Sequence, residues 1–152
     1  MREIKFRAWD GKSIRYDITG FEHGKTNEMA GVFLDGDYFA ITDDLKKCDA
    51  FNPCAIVMEY TGLKDKNGKE IYEGDIITSE NYPFTNDGNK NYAGEVYFDD
   101  EQACFCLDVI PISDRVRGAA VGGMLCEYAE AAEVIGNIYE NPELLAESSD
   151  DK

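Results

Sequence analysis

The chain has 152 residues, with 31 acidic and 15 basic side chains and a formal net charge of −16. Apolar residues make up 43% and charged residues 30%, which is globular composition with length for one good core or two small ones. The negative charge argues against a nucleic-acid binder, whose affinity comes mostly from neutralised phosphates, and no apolar run approaches the roughly 20 residues of a membrane span.

Taken in chain order, strand signals dominate. Ile4, Phe6 and Ala8 alternate with Lys5, Arg7 and Trp9, a period of two. Asp10, Gly11 and Lys12 then signal a turn, and Ile14, Tyr16 and Ile18 resume the alternation, which predicts a hairpin. Residues 20–36 are rich in Gly and polar side chains and read as a long loop, with a short strand at 32–34. Residues 43–47 fit a helical turn capped by Thr42 or Asp43. The apolar run 55–60 reads as a strand.

Asn67-Gly68 is a strong hairpin signal, because both residues tolerate positive φ. Gly62 and Gly68 are read at turns that need positive φ, and Asp75 as a side chain that bonds nearby backbone N–H groups in a tight turn. Residues 82–92 form a polar loop. Residues 94–99 and 103–109 form a further hairpin turning at 99–102. Residues 113–123 are Gly-rich and undefined, 126–132 fit a short helix, and 133–139 a last strand. Asn141 caps a short helix with Pro142 in its first turn. Short strands at close spacing from about Tyr60 to Tyr139 predict a small, curled antiparallel barrel, filled by Ile71, Ile76, Val96, Phe98, Val134 and Ile138. The expected division is a β-rich region over 1–55, the barrel with a short C-terminal helix over 56–145, and a disordered tail over 146–152.

Most catalytic chemistry lacks its residues. The single histidine, His23, sits in a Gly-rich polar segment and reads as a solvated loop side chain. No Gly-x-Ser-x-Gly elbow, no phosphate-binding Gly-x-x-x-x-Gly-Lys and no dinucleotide glycine pattern is present. The five cysteines, Cys48, Cys54, Cys104, Cys106 and Cys126, form no Cys-x-x-Cys, and their odd number argues against a disulfide framework. Cys104 and Cys106 share one face of a strand. They would join Cys126 on zinc, or stay reduced and buried, and the latter is the simpler reading. Neither acidic loop, at 35–40 or 87–98, has the ligand order of a calcium-binding EF-hand. No cofactor and no catalytic or metal-ligating residue is expected.

Three segments carry a family resemblance: REIKFRAWD at residues 2–10, YTGLKDKNGKEIYEGDI at 60–76 and VIGNIYENPELL at 134–145. Together they resemble the YopX family of phage and prophage proteins. The resemblance implies a C-terminal SH3-like β-barrel preceded by a subunit-interaction region, and hence a homo-oligomer. It also implies a phage or prophage gene expressed in a bacterial cytoplasm. It implies no activity, because the family is functionally uncharacterised, and it supplies no catalytic residue.

The charge is uneven. Residues 91–152 carry 14 acidic and 3 basic groups, whereas the first fifteen residues carry five basic and two acidic. The basic strand, with Trp9, has the ingredients of a nucleic-acid patch. Meeting acidic surface within an assembly is the preferred use of it. The expected function is therefore a non-enzymatic, homo-oligomeric interaction protein, partnered by itself and by a host or phage protein, with no membrane. The candidate contact residues are Trp9, Tyr72, Asp75 and Tyr97, and the exposed aromatics are expected at Tyr72, Tyr82, Tyr92 and Tyr97. The competing readings are an acidic imitator of nucleic acid that inhibits a host enzyme and, behind it, a small hydrolase using His23 or a carboxylate pair.

Overall fold

Alternating apolar residues at the N-terminus fold as their period requires. In the computed structural model, which describes residues 3–23, 29–43, 45–48, 53–80, 85–86, 90–91, 93–110 and 125–144, strands β1 (Phe6–Trp9) and β2 (Ile14–Arg15) form a hairpin. Ala8 lies opposite Arg15 and Trp9 opposite Ile14. Asp10 makes the turn: its Oδ1 accepts the N–H groups of Lys12 (2.8 Å) and Ser13 (2.9 Å), and Gly11 takes φ 98°.

The loop expected over 20–36 is mostly sheet. Strands β3 (Ile18–His23) and β4 (Met29–Phe33) pair antiparallel, and β5 (Tyr38–Ile41) pairs with β4. Glycine hid this from the sequence. Gly31 sits in the middle of β4, and a Cβ there would fall inside the Phe39 ring, so the strand needs a residue without a side chain. A 3-10 turn at Leu45–Lys47 follows, in line with the helical turn read there. Strand β6 (Cys54–Lys64) is longer than the six residues expected.

The chain divides into two compact units, one of residues 4–59 and one of 60–152 with 1–3. In the first, six strands run in the order β2-β1-β6-β5-β4-β3, with β5 and β6 parallel. The sheet curls until Phe6 of β1 meets Phe21 of β3 edge-on at 5.1 Å. Ala8, Phe33, Phe39 and Ala55 form its core, with Ile18 and Val57 packed against them.

In the second unit the end of β6 turns into β7 (Glu70–Tyr72), followed by β8 (Asp75–Thr78), the short pair β9 (Thr85–Asn86) and β10 (Lys90–Asn91), then β11 (Ala93–Asp99), β12 (Cys104–Ile110) and β13 (Glu133–Asn137). Where a short helix was expected over 126–132 there are two 3-10 turns, Leu125–Glu127 and Ala129–Ala131. The core is Ile71, Ile77, Val96, Leu107, Leu125, Ala129, Ala132 and Val134. Ile76 is also fully buried, but Ile138 is half-buried and Phe98 is 41% exposed.

Four strands of this unit form a sheet ordered β12-β11-β8-β13, and among the described residues no ladder joins β12 to β13. The fold is mainly β, but this sheet does not close into the barrel expected. The chain turns away after β13, because Asn137 Oδ1 accepts the N–H groups of Tyr139 (3.0 Å) and Glu140 (2.8 Å) and ends the strand. Asn141 does not cap the 3-10 turn at Pro142–Leu144 with its side chain. Its Oδ1 reaches back and accepts the Asn137 N–H at 3.2 Å. Gly62 also differs from expectation. Its φ of 86° falls in a bulge within β6 rather than in a turn, whereas Gly68 (φ 82°) does lie in the turn before β7.

Candidate functional site

An open groove of about 860 Å³ lies in the N-terminal unit. Its floor is built from the sheet. Phe33 of β4 and Phe39 of β5 stack with centroids 4.6 Å apart, and the Arg15 guanidinium lies 3.7 Å above the Phe33 ring. Arg15 is held there by a fork to Asp17, Nε to Oδ1 at 3.1 Å and an Nη to Oδ2 at 2.7 Å, and by Asp35 at 3.2 Å. The Arg15 bonds hold the Asp17 carboxyl below its ordinary range. The Asp37 N–H does the same for Asp35, helped by Arg15. Leu45, Pro53 and the Cys48–Cys54 disulfide form a wall, and Tyr38 stands exposed at the groove. The odd cysteine count argued against a disulfide framework, yet Cys48 and Cys54 are paired. The Cα atoms lie 5.6 Å apart, within ordinary disulfide range.

The groove's charged groups are partly committed. Asp10 closes its own turn and Arg15 is taken by two carboxylates. Lys12 makes no ion pair among the described residues. Asp37 also lines the groove and likewise makes no ion pair among the described residues.

The four contact residues chosen from sequence are not assembled into one site. Tyr72 and Asp75 are brought together, but as a structural brace: the Tyr72 N–H donates to Asp75 Oδ2 at 2.8 Å, and both residues are buried. The Tyr72 ring packs on Tyr60 at 5.4 Å, so it is not the exposed aromatic expected. Tyr97 is half-buried on β11 opposite Cys106, and burial raises its phenol pKa, with Cys106 and Asp99 adding. Trp9 is half-buried on β1 in the other unit, between Ile14 and Ile56 on the flanking strands. Tyr82, Tyr92 and the His23 side chain lie outside the described residues, as do residues 113–123 and the tail.

The sequence pattern of the YopX protein family matches residues 5–146, nearly the whole chain. The chain belongs to the YopX family. The crystal structure of protein EF1440 from Enterococcus faecalis is similar at 28% identity and a TM-score of 0.51, over 95% of this chain and 99% of that one. No curated protein is similar enough to this chain to count as a match. The YopX family is functionally uncharacterised, so membership brings no catalytic residue to this site.

Sequence reasoning missed the groove of this YopX-family chain because it gave β4 only a short strand at 32–34 and assigned no strand to β5 at 38–41. One signal was available. Phe33 and Phe39 flank Asp35-Gly36-Asp37, a turn between two apolar runs, and Gly36 takes φ 94° there.

Proposed function

We propose that this protein acts by binding rather than catalysis, as a homo-oligomer whose N-terminal unit supplies the contact surface to a second copy. One observation carries the reading. Of the eight large apolar side chains exposed among the described residues, six belong to residues 4–59: Ile4, Tyr16, Met29, Leu34, Tyr38 and Ile41. Leu34 is 76% exposed and Tyr38 is 57% exposed, one in the β4–β5 turn and the other beside it. Contiguous exposed apolar surface marks protein contacts, and Leu34 and Tyr38 are its proposed centre. Trp9 on β1 and Tyr97 on β11 remain contact residues in this reading, while Tyr72 and Asp75 hold the turn that shapes the second unit. No cofactor takes part.

An SH3-like arrangement over 56–145 belongs to the same proposal. It is supported by the meander β8-β11-β12, the two 3-10 turns that follow, and the return of β13 beside β8. Such a domain offers a further surface to a host or phage protein in a bacterial cytoplasm, the setting the family resemblance implies.

Light scattering tests the assembly. The wild-type chain is expected at a multiple of its own mass, and the Leu34→Glu/Tyr38→Glu double variant at the monomer mass with unchanged circular dichroism. A wild-type chain that is monomeric at every concentration sinks the proposal.

A second reading is an acidic imitator of nucleic acid. It is favoured by the placement of Glu95 directly opposite Asp108 on the β11–β12 ladder, with the Asp99, Asp100 and Glu101 turn at its end. This reading requires competition with DNA for a basic host protein at low salt, lost at high salt.

A further inference from the structure

The Cys48–Cys54 disulfide sits on a seam of the N-terminal sheet. Strands β2-β1-β6 and β5-β4-β3 are antiparallel triplets, and the parallel β5–β6 ladder joins them, pairing Ala40 with Cys54 and Ile41 with Ala55. Backbone bonds cross there from the Ala40 N–H to Pro53 O at 2.9 Å and from the Thr42 N–H to Ala55 O at 3.0 Å. Parallel strands need a crossover of about a dozen residues or more. This one has twelve, 42–53, so it has little slack.

The disulfide pins that crossover. Cys54 lies on the seam itself. Cys48 follows the 3-10 turn Leu45–Lys47, and its N–H donates to Leu45 O at 3.1 Å. The bond therefore ties the turn to the first residue of β6 and holds Leu45 in the groove that Phe33 and Phe39 also line. Both cysteines are half-buried and line the open groove, so a small thiol can reach their sulfurs. Cys104, Cys106 and Cys126 are free and belong to the other unit. In a bacterial cytoplasm, the setting proposed for this chain, protein disulfides are rare, and those that form are usually transient and catalytic or redox-sensing.

We propose that Cys48–Cys54 is a reversible thiol–disulfide modification site, opened by a dithiol, that sets how firmly the two halves of the N-terminal sheet are held together. A thiolate of the dithiol attacks one sulfur of the pair, the S–S bond breaks and a mixed disulfide forms. The second thiolate of the dithiol attacks that mixed disulfide. The dithiol is left oxidised to its own disulfide, and Cys48 and Cys54 are left as thiols, having gained two electrons and two protons. Loop-closure entropy makes even a short disulfide loop worth roughly tenfold or more in an opening equilibrium, so the reduced seam opens that much more often.

Residue-resolved amide hydrogen exchange of the full chain tests this, with the protein held in oxidised glutathione or in dithiothreitol. Iodoacetamide labelling and peptide mass spectrometry follow the cysteines. In oxidised glutathione Cys48 and Cys54 are expected linked to each other, and in dithiothreitol all five cysteines are labelled. The Ala40 and Thr42 amides are expected to exchange at least tenfold faster in dithiothreitol and to recover on reoxidation. The Tyr72 and Val134 amides of the other unit exchange at one rate in both. The Cys48→Ser/Cys54→Ser chain exchanges at the reduced rate in both buffers. Circular dichroism checks its fold, and the wild-type comparison stands without it. Cysteines 48 and 54 that stay unlinked in oxidised glutathione overturn the proposal. So does a seam that exchanges at one rate in both states. Faster exchange that reaches Tyr72 and Val134 also overturns it, because the loss is then of the whole fold.

Discussion

Asp65 shows how one carboxylate joins distant parts of the second unit. It is 6% exposed, and it accepts backbone N–H groups from Asn67 (2.8 Å) and Lys69 (2.9 Å) on Oδ1 and from Val134 (2.9 Å) on Oδ2. The first two shape the turn between β6 and β7, and the third ties that turn to the start of β13. Burial alone would raise this pKa, but the three backbone donors outweigh it and the net shift is downward. A depressed folded-state pKa stabilises the fold fully above the unfolded value, near 3.8, and that contribution drains away as pH falls toward the folded value. Asp65→Ala removes the acceptor of three backbone N–H groups, of which the Val134 one is buried, and is expected to cost about 2 kcal/mol at neutral pH. Urea melts of the two proteins from neutral to strongly acid pH check both points. The difference should shrink as the solution is acidified, and a pH-independent gap would show that the loss is one of packing.

At the scale of elements, the β11–β12 ladder holds an unfavourable pair. Glu95 lies opposite Asp108, and it is half-buried while Asp108 is exposed. Burial raises the Glu95 pKa and the Asp108 charge adds to it. The sign is opposite to that of Asp65. The folded chain holds this proton more tightly than the unfolded chain, so raising the pH above about 4.5 weakens the fold. Glu95→Gln is expected to stabilise by about 0.5 kcal/mol at neutral pH, since like charges directly opposed destabilise a ladder. The gain should vanish at low pH, where wild-type Glu95 is itself neutral, and paired denaturation midpoints at the two pH values measure it. The ladder was legible in the sequence because two β-prone runs, 94–98 and 103–109, flank the polar turn at 99–102. The β3–β4–β5 region was not, because Gly20 and Gly31 interrupt the alternation and Gly31 is paid for only by Phe39, eight residues later. The candidate groove went unread with those strands. Asp75 was legible as a turn brace, because an acceptor just after Gly74 can reach back to the N–H of Tyr72.

For the whole molecule, association must overcome charge. Each copy carries a formal net charge of −16, so two copies repel at long range. Salt screens that repulsion, with a Debye length of about 8 Å at physiological ionic strength and roughly 3 Å at 1 M. The two surfaces open to the proposed association respond to salt in opposite ways. Contact between the basic N-terminal strand and the acidic last third of another copy rests on attraction, which salt weakens. Contact through Leu34, Tyr38 and their apolar neighbours rests on buried surface, which salt leaves intact while it removes the repulsion. Arg15, the best-placed cation of the N-terminal hairpin, is already taken by Asp17 and Asp35, which leaves little of the basic strand to attract a second copy. The apolar contact should therefore dominate. The dissociation constant of the oligomer, followed by sedimentation over rising sodium chloride, is expected to fall as salt rises. A rise instead would move the interface to the charged surfaces and would leave the exposed side chains of the N-terminal unit free for a different partner.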